Sequence, residues 1–147
     1  MLNQDYKEML SILLENDVKF LLVGAYAMAV YGFPRATADI DIFVSSDSEN
    51  VKKLYKSLEK FGAPTKNISP NDFEKPGTIF QIGVAPRRID IINEIDGVTF
   101  DEAYEDKIVV ELDRLMISVI SKKKLIRNKL ATGRPQDKLD AKKMDKS

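Results

Sequence analysis

The chain has 147 residues, of which 44% are hydrophobic and 31% charged, and its formal net charge is zero. This length and composition predict one folded domain, residues 1–147, and exclude a disordered or low-complexity sequence. The chain contains neither cysteine nor histidine, which excludes disulfides, zinc–thiolate sites and catalysis by a thiol or an imidazole. Acid–base or metal chemistry must therefore rest on carboxylates, lysines or tyrosines, and carboxylates favour hard cations with oxygen ligands.

The N-terminal sequence MLNQDYKEML includes Asp5 and Glu8 and lacks the basic and apolar regions of a secretory signal. The longest uncharged stretch, residues 20–33, is shorter than the roughly 20 residues that a membrane-spanning helix needs. We therefore expect a cytoplasmic protein without a membrane segment.

Hydrophobic periodicity divides the first half of the chain into alternating helices and strands. In chain order the predicted elements are a helix over 5–15, a buried strand over 18–23, a helix over 25–30, a strand over 39–44, and a helix that opens with a capping box at 46–49 and runs to 61. Gly24 separates the first strand from the second helix.

The second half is predicted to contain more strands, followed by helices. In chain order it comprises a loop over 65–77 with one helical turn near 71–73, antiparallel strands over 78–84 and 88–92 joined by a turn at 85–87, strands over 108–112 and 115–119, and helices over 122–132 and 135–140. This order predicts an α+β fold: a mixed sheet, helices packed on one side, and a C-terminal helical segment over 121–147.

The C-terminal segment is strongly basic, since residues 122–147 hold ten basic and three acidic side chains. A basic segment on an acidic body can bind a phosphate-bearing partner. A solvated helix face that aids solubility explains the same pattern, so both interpretations stay open.

Three aspartates bracketed by apolar residues form the main functional candidate. Side chains two apart on a strand point to the same face, so Asp39 and Asp41 project together with Cα atoms about 6.5–7 Å apart. Such a pair suits Mg²⁺ or Mn²⁺, and Asp90, on a strand with the same pattern, is the expected third ligand. The alternatives are a strand edge that faces water for Asp39 and Asp41, and an ion pair with Arg87 or Arg88 for Asp90.

Two residues upstream of the aspartate strand suit a phosphate group. Gly24 lies between a strand and a helix, where exposed backbone N–H groups can receive a triphosphate while glycine permits close approach. Arg35 could neutralise phosphate charge. A plain tight turn and a surface arginine are the corresponding structural explanations.

The segment LVGA at 22–25, followed by a helix and by RATADIDI at 35–42, resembles the signature of the DNA polymerase beta-like nucleotidyltransferase superfamily. That signature is an apolar residue, glycine, then glycine or serine, a spacer, and Asp-apolar-Asp/Glu-apolar. Ala25 departs from it, because its side chain offers no hydroxyl, although its backbone N–H remains. The resemblance implies a nucleotidyltransferase fold, divalent metal bound by the aspartates, and phosphates held by Gly24 and Ala25.

The sequence LIRNKLATGRPQDKLD at 125–140 is similar to the C-terminal motif of small minimal nucleotidyltransferases, among them abortive-infection type toxins of toxin–antitoxin systems. The resemblance implies that Lys129 and Asp137 belong to the nucleotide site, with Arg134 a weaker candidate. It also implies that an antitoxin is a possible partner.

The expected function is metal-dependent transfer of a nucleoside monophosphate (NMP) from a nucleoside triphosphate (NTP) to an acceptor, with pyrophosphate as the leaving group. The acceptor stays open: RNA such as tRNA, a protein hydroxyl, or a small molecule. A catalytically inactive nucleotide-binding or protein-interaction module is the alternative.

Overall fold

The computed structural model describes residues 2–34 and 38–147. Within them the helices are α1 (Gln4–Glu15), α2 (Gly24–Val30), α3 (Ser48–Phe61), α4 (Phe100–Glu105), α5 (Lys122–Thr132) and α6 (Pro135–Asp145), with a short 3-10 helix at Pro70–Glu74. The strands are β1 (Phe20–Val23), β2 (Ile40–Val44), β3 (Ile79–Ile82), β4 (Ile89–Ile92), β5 (Ile108–Leu112) and β6 (Leu115–Val119). The predicted α+β fold with a mixed sheet is confirmed.

The strands form one six-stranded sheet in the order β3-β4-β2-β1-β6-β5. At its centre β2 pairs antiparallel with β1 and parallel with β4. The parallel pairing sets Asp41 opposite Asp90, and the predicted antiparallel pairing of β3 with β4 is also present. The sheet therefore brings two aspartates that are far apart in sequence to neighbouring positions.

The hydrophobic core lies against the buried centre of this sheet. All four residues of β1 are buried, as are Ile40 and Ile42 on β2. Helix α1 contributes the apolar face predicted from its spacing, including Met9 and Leu13, and packs against α3. None of the helices in residues 2–34 and 38–147 has the length and apolar character needed to cross a bilayer.

The structure differs from the sequence prediction at several elements: strands β1 to β4 are each shorter than predicted, and the helices differ in the following ways. The capping box at 46–49 is wrong, because Asp47 caps α3 and its carboxylate accepts from the backbone N–H groups of Glu49 and Asn50. Helix α4 was not predicted, since its six residues are too few for periodicity to reveal. Helix α6 continues to Asp145 because Met144, in its last turn, is fully buried.

Candidate active site

A cavity of about 690 Å³ lies among the β1–α2 junction, strands β2 to β4, and helices α5 and α6. It brings together residues from both ends of the sequence. Of the nine residues predicted to form the site, eight line this cavity: Gly24, Ala25, Asp39, Asp41, Asp90, Lys129, Arg134 and Asp137. The ninth, Arg35, lies outside the described residues.

Asp41 and Asp90 are neighbours on the parallel strands β2 and β4. Burial raises the pKa of Asp41 to about 7, and the charge of Asp90, a hydrogen bond with its carboxyl group and the charge of Asp39 add to the effect. Two carboxylates held this close repel each other when both are ionised. The site thus concentrates negative charge, and a bound cation would reduce the repulsion between the carboxylates.

Arg88 supplies positive charge to this cluster. Its Nε donates to Asp90 Oδ1 at 2.7 Å, and its Nη2 lies 3.1 Å from Asp90 Oδ2 and 3.2 Å from Asp39 Oδ2. The pairing of Asp90 with Arg88, the alternative that the sequence left open, is therefore present. The hydrogen bond with Asp90 in turn raises the pKa of Arg88 above its ordinary value.

The three aspartates fit a divalent cation by the chemistry of their donors. Asp39, Asp41 and Asp90 offer hard carboxylate oxygens to one cavity, and burial, together with the charges of Asp90 and Asp39, raises the pKa of Asp41 although Arg88 opposes the shift. In the described part of the chain, no group of three acidic side chains forms a ready-made ligand set for a metal ion, and Arg88 already contacts Asp39 and Asp90. A metal would therefore have to compete with the guanidinium.

Gly24 stands directly against the aspartates. Its φ is +65°, and a Cβ placed there would lie 2.3 Å from Asp41 Oδ2. A larger residue would thus suffer both backbone strain and a collision with a candidate ligand. No side chain of the described residues caps the first turn of α2, which leaves the backbone N–H groups at the start of this helix available to an anion.

Lys129 lies between two aspartates on the opposite wall of the cavity. Its Nζ is 3.4 Å from Asp137 Oδ1 and 3.5 Å from Asp140 Oδ2, and all three residues are buried. Burial alone would raise the pKa of Asp137, but the Thr132 hydroxyl and the charges of Lys129 and Arg134 hold it below its ordinary value. These ion pairs fasten α5 to α6.

Several of the residues that build the site were not among the predicted site residues. Arg88, named from the sequence only as an alternative ion-pair partner of Asp90, directly precedes β4 and lies two residues before Asp90, and Asp140 follows Asp137 at helical spacing, so both share a face with a predicted residue. Thr132 donates to Asp137 Oδ2 at 2.7 Å and Gln136 donates to Asp140 Oδ1 at 2.9 Å. The shared-face rule is the signal that could have found Arg88 and Asp140.

Tyr6 supports the backbone of the site through hydrogen bonds. Its hydroxyl donates to the carbonyl oxygens of Ala38 and Arg88, each at 3.2 Å. Burial, with smaller contributions from Tyr26 and Asp39, raises the pKa of Tyr6 to about 12, so it stays a neutral donor. One side chain of α1 thereby ties together the segments that lead into β2 and β4.

Comparison with known proteins identifies the family and supports the fold. A family model described as nucleotidyltransferase of unknown function (DUF6036) matches residues 1–145. A crystal structure of a candidate nucleotidyltransferase from Thermotoga maritima superposes with a TM-score of 0.66 and 17% sequence identity, over 99% of this chain and 96% of that one. At this identity the likeness shows the fold. A search of the curated proteins found no match.

Proposed function

The chain belongs to the family of nucleotidyltransferases of unknown function (DUF6036), and we propose that it transfers an NMP from an NTP to an acceptor and releases pyrophosphate. Membership in the DNA polymerase beta-like superfamily is part of the proposal. The observation that carries it is the register of β2 and β4, which aligns Asp41 with Asp90 beside Asp39 in a cavity that Gly24 and Lys129 also line.

In the proposed reaction, an acceptor hydroxyl oxygen forms a bond to the α-phosphorus of the NTP. The bond from that phosphorus to the oxygen bridging to the β-phosphate breaks, and pyrophosphate leaves with the electron pair. The Asp90 carboxylate takes up the hydroxyl proton. This step requires the nucleophile and the α-phosphate to be held in line, which is chiefly a task of positioning.

The three aspartates would hold Mg²⁺ or Mn²⁺, which when bound would offset the negative charge that develops on the transferring phosphoryl group. Asp39, directly before β2, and Asp41, on β2, would be two of the ligands, and Asp90 on β4 would complete the side that faces the acceptor. The backbone N–H groups at Gly24 and Ala25 would donate to the triphosphate. Lys129, which is held in place by two aspartates, would add positive charge near the far end of the triphosphate.

The residues at the mouth of the cavity have weaker support. Arg134 is mostly exposed and donates through Nε to Asp137 Oδ2 at 2.7 Å, so in the proposal it contacts the nucleotide only at the rim. Asp137 orients both Arg134 and Lys129. Arg35 keeps its proposed role beside the phosphates on sequence resemblance alone.

We propose RNA such as tRNA as the first acceptor to test. Helices α5 and α6, which contribute residues to the cavity, also carry exposed basic side chains, which favours a phosphate-bearing partner: Lys123, Lys138, Lys142 and Lys143. A protein hydroxyl and a small molecule are the other acceptor classes. A toxin role with an antitoxin partner belongs to the proposal through the resemblance alone.

Comparing two labels tests the proposed transfer. Purified protein is incubated with Mg²⁺ and each NTP, labelled on either the α- or the γ-phosphate, together with total tRNA, cell extract or an aminoglycoside. Transfer of an NMP labels the acceptor from the α-position alone. Calorimetric binding of ATP with Mg²⁺, without incorporation from any NTP into any acceptor, would instead favour an inactive nucleotide-binding module.

A further inference from the structure

Arg88 engages every carboxylate oxygen of Asp39 and Asp90. Its guanidinium contacts both oxygens of Asp90, at 2.7 and 3.1 Å, and Oδ2 of Asp39, at 3.2 Å. Its backbone N–H donates to Asp39 Oδ1 at 2.9 Å. These are the oxygens that a divalent cation bound by the same aspartates would need.

The guanidinium and a divalent cation compete for the same two aspartates. A carboxylate oxygen that accepts an N–H bond keeps a second lone pair, so the competition arises mainly because the two cations, held this close, repel each other. Asp39 and Asp90 have side chains only 21% and 11% exposed, so water does little to screen that repulsion. Metal entry therefore favours displacement of the guanidinium.

We propose that Arg88 is a built-in counter-ion: it occupies the aspartate cluster in the free protein, competes with the divalent cation for it, and moves away when metal and nucleotide arrive together. The inference rests on the proposed function, which assigns the metal to these aspartates. It adds that metal alone binds weakly and that the nucleotide strengthens metal binding.

The triphosphate gives the displaced guanidinium a new partner. Arg88 lines the same cavity as Gly24 and Lys129, and 29% of its side chain is exposed, so the side chain has room to turn. Phosphate oxygens, like carboxylate oxygens, accept paired hydrogen bonds from a guanidinium group. Metal entry then costs less when the triphosphate is present, and by linkage each ligand strengthens the binding of the other.

A purely structural role for Arg88 makes the opposite prediction for metal binding. If the ion pairs served only to hold β2 beside β4, loss of the guanidinium would loosen the aspartates and leave metal affinity equal or weaker. If Arg88 competes with the metal, its loss frees the carboxylate oxygens and raises metal affinity. The direction of the change separates the two roles.

The test is a titration of the full chain with Mn²⁺ in the absence of nucleotide, with free Mn²⁺ measured by electron paramagnetic resonance. Arg88→Gln is expected to bind Mn²⁺ about tenfold more tightly than the wild type, within the usual range of coupling between sites. Arg87→Gln, which removes the same charge from the exposed neighbouring residue, is the matched control and should bind as the wild type does. Arg88→Lys keeps the positive charge but lacks the planar guanidinium that contacts both aspartates. Its Mn²⁺ affinity should lie between those of the wild type and Arg88→Gln.

Equal or weaker Mn²⁺ binding by Arg88→Gln than by Arg87→Gln overturns the inference and leaves the proposed function standing. If neither variant nor the wild type binds Mn²⁺, with or without α,β-methylene ATP, the inference and the proposed function fail together. Wild-type protein that shows the expected Mn²⁺ pattern but transfers no nucleotide contradicts the proposed function alone.

A measurement on the wild type covers the case in which Arg88→Gln does not fold. Adding α,β-methylene ATP should tighten Mn²⁺ binding by about tenfold. Mn²⁺ affinity that is independent of this analogue overturns the inference without any variant.

Discussion

Asp41 and Asp90 lie opposite each other on two parallel strands. Burial is the main cause that raises the pKa of Asp41 to about 7, and the charge of the neighbouring Asp90 adds to the effect. Arg88 neutralises part of the charge but contacts Asp39 and Asp90. The free protein thus holds an acidic cluster that its own residues balance only in part.

This relationship predicts a loss of stability as the pH rises. Burial is the main cause that raises the pKa of Asp41 from 3.8 to about 7, so between these values the folded chain binds a proton that the unfolded chain has released. The free energy of unfolding of the metal-free protein should therefore fall from about pH 4 to pH 7, by an amount of order 2–4 kcal/mol attributable to Asp41. Urea unfolding in the presence of a chelator measures it.

Asp41→Asn provides the comparison, since asparagine keeps the shape and does not titrate. The difference in unfolding free energy between the variant and the wild type should grow in favour of the variant as the pH rises from 4 to 7. A difference that stays constant over this range would contradict the assignment of the shift to Asp41.

Gly24 and Gly32 offer a matched pair for the close approach at the site. Both have positive φ, +65° and +94°, but a Cβ on Gly24 would lie 2.3 Å from Asp41 Oδ2, whereas one on Gly32 would meet nothing within 4 Å among the described residues. Each alanine variant should lose about 1 kcal/mol through backbone strain. Gly24→Ala should lose at least about 1 kcal/mol more through the collision, and it alone should lose calorimetric binding of ATP with Mg²⁺. Equal losses in the two variants would show that the contact with Asp41 does not matter.

Lys129 is predicted to be necessary for the folded state as well as for the nucleotide. Replacing it with methionine leaves Asp137 and Asp140 buried without their shared cation, and breaking such a pair costs about 3–5 kcal/mol. Lys123→Met, at an exposed position of the same helix, should change stability by less than about 0.5 kcal/mol. Chemical denaturation of the two variants compares them directly, and a similar small effect in both would mean that the buried pairs contribute nothing.

The sequence predicted the aspartates because strand alternation is a local rule. Side chains two apart in an extended segment share a face, which placed Asp39 and Asp41 together even though β2 begins only at Ile40, and Asp90 carries the same apolar bracketing. The register that aligns Asp41 with Asp90 is a long-range property, and only the folded sheet establishes it. Sequence reasoning could place Asp90 on the same face as the other two aspartates, but it could not show that Asp41 lies directly opposite it.

The contacts that sequence reasoning left open or missed depend on long-range packing. From the sequence, the Arg88 side chain could point to solvent or to the aspartates. It points to the aspartates because the folded sheet brings the negative charges of Asp39 and Asp90 together. Asp140 ends a motif whose lysine lies on another helix, and the packing of α5 on α6 makes them partners. Helix α4 escaped because a six-residue helix leaves almost no periodic signal.

The turnover of Asp41→Asn decides whether the aspartate cluster carries nucleotidyl transfer. Incorporation of α-labelled NTP by the purified variant should fall at least about a thousandfold below the wild type, because several kcal/mol of charge stabilisation in the transition state are lost. Its melting temperature at pH 7 should be equal or higher. Turnover near the wild-type rate in a folded Asp41→Asn variant would contradict the account.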